Sequence, residues 1–288
     1  MRPFGYERPS SLADAIALLA EHGARARVLA GGTDLIIRLR DGAVRPDVVI
    51  DVKRIAELDD GIHEADDRLV IGVRTVMTDI AADPRVRRSF AALADAAAVV
   101  GSVQIRNRAT LAGNVCNASP AADTLPSLLV YGAIVVAAGP AGTRRIPIDG
   151  LLVRSGVTTL GPDELVTAIE LPLPAATEGS VHVRRTRRRG HDLASVTLAC
   201  AVGADGMTRI AYGSVGPRPL LVTDVTGVLA DSSASAEARN RVLDGLFADA
   251  RPSPRSLRAS PDYRLAMLRV LGLRAVDAAM ARLAAGTR

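Results

Sequence analysis

Apolar positions recur first at helical spacing. Leu12, Ala15, Ile16 and Leu19 fall on one face behind Ser11, whose hydroxyl suits a helix N-cap, with Asp14 in the first turn and Gly23 ending the run. Val28 to Ala30 predicts a short buried strand that delivers Gly31-Gly32 into a turn, after which Thr33 to Arg40 has the period of a second helix. Asp47 to Val52 reads as a strand, and Gly61 to Glu64 with Arg68 to Val73 as a hairpin around Asp66-Asp67. The charged stretch Glu57 to Asp60 separates these, which predicts two lobes at about 1–55 and 56–176. Ala-rich Thr78 to Val100, interrupted by Pro84, predicts one or two closely packing helices.

Further on, Leu128 to Ala138 and Thr143 to Ile148 predict strands joined by the Gly139 to Gly142 turn. Another strand enters at Asp163-Glu164 and runs through Pro172, and Pro172 to Gly179 reads as a linker that closes a first domain near Ala176. In the second domain, 177–288, Val196 to Val202 and Thr208 to Val215 alternate around Asp205-Gly206 as a hairpin. Asp262 to Ala285 places Leu265, Leu268, Leu271, Val276, Met280 and Leu283 among charges, an amphipathic helix suited to covering a sheet.

One stretch stands apart. From Gln104 to Pro126 almost every residue is small, a hydroxyl or an amide, so the segment offers little apolar area to a core. Gly113 permits close backbone approach, Thr110, Asn114 and Ser119 add short hydrogen-bonding groups, and Asp123 adds an acceptor, a set suited to an anion or a flat polar ring. The earlier strand, glycine turn and helix around Ala30 to Leu35 bring N–H groups and a positive helix end together, which suits a pyrophosphate. Composition alone also allows ordinary loops in both places, and Gly-Gly turns are more often structural than cofactor-binding. The spacing is not Gly-x-Gly-x-x-Gly, which disfavours a Rossmann site. Arg106 and Arg108 suit either a phosphate or an exposed strand, and Cys116 reads as a small core-filling residue rather than a nucleophile.

Composition narrows the classes. The chain has 288 residues, 48% of them hydrophobic, enough for two domains with real cores. Aromatic residues make up 2% with no Trp, so the cores rest on Ala, Val, Leu and Ile and no base-stacking platform for nucleic acid is expected. The net charge of +5 is well mixed except at Arg184 to Arg189, a run that suits phosphates, a partner or solvent. Two cysteines and four scattered histidines predict no metal site, and the histidines lie outside both loops, which leaves a hydrolase without its base. No signal-peptide pattern is present and the longest apolar run is too short to span a bilayer, so the cytoplasm is the expected location.

Thr110-Leu-Ala-Gly-Asn114 followed by Asn117-Ala-Ser-Pro-x-x-Asp123 resembles the second flavin-binding segment of the FAD subunits of molybdenum hydroxylases, and Ala30-Gly31-Gly32-Thr33-Asp34-Leu35 resembles the first. The resemblance extends from about Arg2 to about Arg282. It implies an α+β fold: a two-lobed FAD-binding domain of the vanillyl-alcohol-oxidase/PCMH type, then a small α+β C-terminal domain of antiparallel sheet plus helices. It implies FAD as the cofactor, with Val28, Leu29, Ala30, Gly31, Gly32, Thr33, Asp34 and Leu35 wrapping the pyrophosphate and Thr110, Gly113 and Asn114 lining the second side. By the same resemblance Asp123 accepts from the polyol or ring region, Val100 lies at the entry to the second segment and Val166 near the ring. Arg184 falls where xanthine dehydrogenase relatives often carry Lys beside the flavin, a departure that keeps the charge but changes the geometry.

With the isoalloxazine carrying the redox chemistry, no side-chain catalyst is implied. The implied partners are a small subunit with [2Fe–2S] clusters and a large subunit holding the molybdenum cofactor. Electrons would leave through this flavin to NAD, a quinone or oxygen, and carbon monoxide dehydrogenase-like and xanthine dehydrogenase-like complexes both fit. Two other readings stay open: a self-sufficient FAD-dependent oxidoreductase with its own substrate pocket, and a non-catalytic scaffold using the Arg184 to Arg189 run.

Overall fold

A small parallel sheet opens the chain. Strands β1 (Gly5–Glu7), β2 (Ala26–Leu29) and β3 (Val48–Asp51) lie in the order β1-β3-β2, with helices α1 (Leu12–His22) and α2 (Leu35–Arg40) in the crossovers that parallel pairing requires. The computed structural model describes residues 2–188 and 190–286, so Arg189 of the arginine run lies outside the described residues. Ser11 Oγ accepts from Asp14 N and caps α1, as its position predicts. Val48, Val49 and Ile50 are all buried, which is why the central strand reads as an unbroken apolar run.

Strands β4 (Ile62–Ala65) and β5 (Arg68–Gly72) form the expected hairpin. Three helices follow, α3 (Met77–Ala82), α4 (Pro84–Ser89) and α5 (Ala91–Ala98), where one or two are expected from the pattern. Pro84 opens α4 instead of merely interrupting a helix: its missing N–H costs nothing in the first turn, and Asp83 caps it by accepting from Arg85 N and Val86 N.

The stretch whose composition allows an ordinary loop is largely helical: α6 (Val103–Arg106), α7 (Leu111–Asn117) and the start of α8 (Thr124–Val130). Leu111, Ala112, Val115 and Leu125 are buried, so it contributes more to the core than its small residues suggest. The expected strand from Leu128 is also corrected. All seven residues of α8 are buried helix, and strand β6 (Ile134–Gly139) begins only after Gly132, at φ +61°, ends the helix. A continuous apolar run fits a buried helix and a buried strand equally well, and Pro126 is accommodated in the first turn of α8.

Strand β7 (Gly142–Pro147), helix α9 (Ile148–Leu151), the short pair β8 (Leu152–Arg154) and β9 (Val157–Thr158), and β10 (Leu165–Pro172) complete this half. The antiparallel order is β4-β5-β10-β6-β7, with a bulge between Val166 and Ala168.

The C-terminal sheet is an antiparallel meander, β11 (Glu178–Arg185), β12 (Val196–Gly203), β13 (Thr208–Gly213) and β14 (Leu220–Asp224), followed by α10 (Ala236–Leu246) and α11 (Pro261–Gly286). Its faces differ in kind. Leu198, Cys200, Val202, Ile210 and Tyr212 join Leu243, Phe247, Leu268 and Val276 of the helical layer. Ala199, Ala201 and Ala211 point the other way into the core of the first half, where their small size lets α5 and α8 pack closely. Gly179 is obligatory on β11, because a Cβ there would overlap the Ala279 carbonyl of α11. No helix among the described residues is long and apolar enough to cross a membrane.

Candidate cofactor site

The first loop leaves β2 at Leu29 and enters α2 at Leu35. Gly32 sits at φ +76°, a conformation that favours glycine. Gly31 serves a different need. A Cβ there would overlap the carbonyl oxygen of Arg108 and crowd Ala109 Cα, so the first loop touches the second segment just ahead of Thr110. The backbone N–H groups of Gly31, Gly32, Thr33 and Asp34 make no hydrogen bond to any described residue. Four consecutive free donors form an arc suited to an anion. Val28, Leu29, Ala30 and Leu35 flank it and are half-buried, while Asp34 is exposed.

On the second side the sequence folds as a capped helix. Thr110 is buried, its Oγ1 accepts from Gly113 N at 3.1 Å as the N-cap of α7, and Gly113 itself lies exposed on the helix. Asn114 Oδ1 accepts from Thr124 Oγ1 at 2.6 Å, which leaves the Asn114 amide donors free. Asn117 Oδ1 accepts from Arg38 Nη1 at 3.4 Å and ties α7 to α2. Arg106 belongs to a helix rather than an exposed strand and donates to Val100 O at 3.2 Å, while Arg108 is exposed. Cys116 does not fill the core: it is exposed on α7, though surrounding protein holds its thiol above the ordinary range and therefore protonated.

Asp123 and Arg184 meet across the two halves. Arg184 Nη1 donates to Asp123 Oδ2 at 2.7 Å, and Asp123 Oδ1 accepts from Thr197 Oγ1 at 3.2 Å. His182 Nε2 lies 2.9 Å from Thr197 Oγ1 and 3.5 Å from Asp123 Oδ1. Val100 is half-buried beside Gly101, at φ +54°. Val166 is buried on β10, opposite Ala137 and at the bulge. The structure thus brings Gly31 to the approach of Thr110, Asn114 to Thr124, and Asp123 to Arg184, whereas Val166 packs in the core.

This donor set suits a dinucleotide: free amides for a pyrophosphate, amide side chains for polar edges, and no group of three metal-ligating side chains among the described residues. Residues 2–174 match the family described as the FAD binding domain in molybdopterin dehydrogenase, and residues 182–279 match the CO dehydrogenase flavoprotein C-terminal domain. The chain belongs to the FAD-binding medium subunits of the molybdenum hydroxylases. This medium subunit is 33% identical to the carbon monoxide dehydrogenase medium chain of Hydrogenophaga pseudoflava, with 98% of both chains covered. It is 32% identical to a xanthine dehydrogenase FAD-binding subunit of Escherichia coli, with 96% of both covered. It also superimposes on a chain of the solved carbon monoxide dehydrogenase from H. pseudoflava with a TM-score of 0.89 at 32% identity, covering 98% of this chain and 99% of that one.

Of the β11 face that meets this site the sequence points to Arg184 alone, and Ser180 and His182 are missed. Ser180, His182 and Arg184 alternate with Val181 and Val183, and the polar set faces the first half. The period-2 alternation is the available signal, obscured by the arginine run that follows.

Proposed function

We propose that this medium subunit holds FAD in the cleft between residues 30–34 and α7, and serves as the electron outlet of a heteromeric molybdenum hydroxylase. The observation that carries the reading is the contact of Gly31 with the Arg108 backbone beside four amides that are unpartnered among the described residues, an arrangement that supports pyrophosphate binding there. Bound there, FAD supplies the exchange of electrons between one-electron iron–sulfur donors and an external acceptor. The chain's own part is binding and orientation. Gly31, Gly32, Thr33 and Asp34 donate to phosphate oxygens between Val28, Leu29, Ala30 and Leu35, and Asn114 presents its amide from α7. Thr110 and Gly113 fix the start of that helix, Val100 supports the cleft wall, and Val166 packs in the core behind it. Asp123 pairs with Arg184 and holds its guanidinium at the seam. Residues 1–176, with lobes of about 1–55 and 56–176, form the cofactor domain, and 177–288 the second domain.

The partners on this reading are a small [2Fe–2S] subunit and a large molybdenum-cofactor subunit, with NAD or a quinone as acceptor and the cytoplasm as location. Purification of the tagged full chain from its native host, with mass identification of bound proteins and metal analysis, tests it. Copurifying molybdenum and iron–sulfur subunits are expected. Substrate turnover by the isolated chain would contradict it.

A further inference from the structure

Successive residues of β11 point to opposite faces of the sheet. Arg184 reaches Asp123 in the first half, whereas Arg185 Nε donates to Tyr263 Oη on α11 at 2.8 Å. On that second face Arg185, Thr186, Arg187, Arg258, Ser260 and Tyr263 surround a cavity of about 410 Å³. No carboxylate lines it. Arg187 is paired with Asp192 at 3.0 Å, but among the described residues neither Arg185 nor Arg258 forms an ion pair of its own. Arg258 is half-buried, and among the described residues its guanidinium donates to the Ala194 carbonyl alone, at 3.1 Å. Burial and the facing Arg187 charge both work against its protonation, and the nearby Asp192 carboxylate offsets them only in part. The amino end of the 26-residue α11 lies at the same rim, with Ser260 Oγ accepting from Tyr263 N. Three guanidiniums, several hydroxyls and one off-centre carboxylate leave a net positive charge that suits an anion.

We infer that this cavity is a binding site for a small phosphorylated anion, with Arg185, Arg187 and Arg258 as its cationic wall. The volume falls within the roughly 300–1,000 Å³ common for small-molecule sites and exceeds what orthophosphate needs, so a diphosphate or a nucleotide fits best. Asp192 competes for one wall of the site. It accepts from Arg187, which holds its carboxyl down at about 2, so it stays ionised and a ligand must share Arg187 with it. Arg185 and Arg258 therefore carry most of the attraction.

The test is calorimetric titration of the FAD-saturated full chain with orthophosphate, pyrophosphate and ADP at constant ionic strength. Saturable one-to-one binding of pyrophosphate or ADP is expected, and the stronger of the two separates an inorganic from a nucleotide ligand. Arg258→Gln and Arg185→Gln should each weaken binding by roughly tenfold, the size of one lost charge-assisted contact, without releasing flavin. Arg185 is exposed, so its variant remains informative if Arg258→Gln misfolds. Asp192→Asn should tighten binding by freeing Arg187. The absence of saturable binding with all three probes, or equal affinity in Arg185→Gln and the parent, would overturn the site. So would loss of an acidic partner protein from both arginine variants without any small-anion binding. If the chain retains no FAD, the same titration on the apoprotein still decides the matter, because the loop at residues 30–34 is a separate element.

Discussion

Arg184 and Asp123 lie 61 residues apart in sequence and 2.7 Å apart in space, and their pair fastens β11 to the entry of α8. Their side chains are only 17% and 9% exposed, so neither charge is well solvated if the other is removed. Arg184→Gln should therefore lower unfolding free energy by about 3 kcal/mol, as expected when a largely buried pair loses one partner. Arg184→Lys should recover part of it, because the charge returns without the planar fork. Urea denaturation followed by circular dichroism measures both.

Gly31 supports the sharpest steric prediction. Gly31→Ala adds a carbon that overlaps the Arg108 carbonyl, so either the first loop or the α6–α7 connection must move. Overpacking of this kind costs about 1–3 kcal/mol, which predicts FAD affinity weakened by roughly tenfold. Gly150→Ala on α9, where a Cβ meets nothing within 4 Å, should leave affinity unchanged. Quenching of flavin fluorescence on titration separates the two outcomes.

Tyr131 joins the two halves from the inside. Its hydroxyl accepts from Ala92 N at 3.0 Å and lies 2.5 Å from Ser180 Oγ, while its ring packs edge-on against Phe90 at 5.1 Å. Tyr131→Phe keeps the ring pair but strands buried polar groups, at a cost of about 1–3 kcal/mol. Ser180→Ala should cost less. The double variant should fall short of the sum, because both changes remove the same hydrogen bond. Thermal unfolding midpoints report all three.

Acid should destabilise the fold in a definable window. Burial alone would raise the Asp51 carboxyl, but hydrogen bonds from Lys53 and Tyr6 outweigh it and hold it below its ordinary value. Arg85 does the same for Asp83, and Arg144 for Glu164. Groups that ionise more readily in the folded state contribute fully above the unfolded carboxylate pKa of about 4, and lose that contribution as pH falls through their lower folded values. Unfolding midpoints should be flat above about pH 5 and drop below about pH 4. Asp51→Asn should be less stable at neutral pH and show a shallower drop.

Much of this architecture is legible in the chain because local signals agree with the tertiary result. Ser11 and Gly23 bound α1, Asp66 and Asp205 sit in the turns of two hairpins, and the spacing of Leu268, Leu271 and Val276 marks the face of α11 that covers the sheet. The strand, glycine turn and helix around Gly31 follow the same logic, and the amides expected there are unpartnered among the described residues. What stays hidden depends on neighbours remote in sequence. Gly31 is required by the close approach of Arg108 and not by the φ of the turn, which no local pattern reveals. Residues 104–126 have the composition of a loop, yet Thr110 caps a helix whose Leu111 and Val115 find a core waiting. Charge obscures β11, whose polar face is spent on Tyr131 and Asp123 rather than on solvent.

The most direct measurement is the visible absorbance spectrum of the purified full chain after incubation with excess FAD and removal of unbound cofactor by gel filtration. One retained flavin per chain is predicted, with retention reduced by Gly31→Ala and unaffected by Gly150→Ala. A chain that is folded by circular dichroism but carries no flavin absorbance would contradict a cofactor cleft between the first glycine loop and α7.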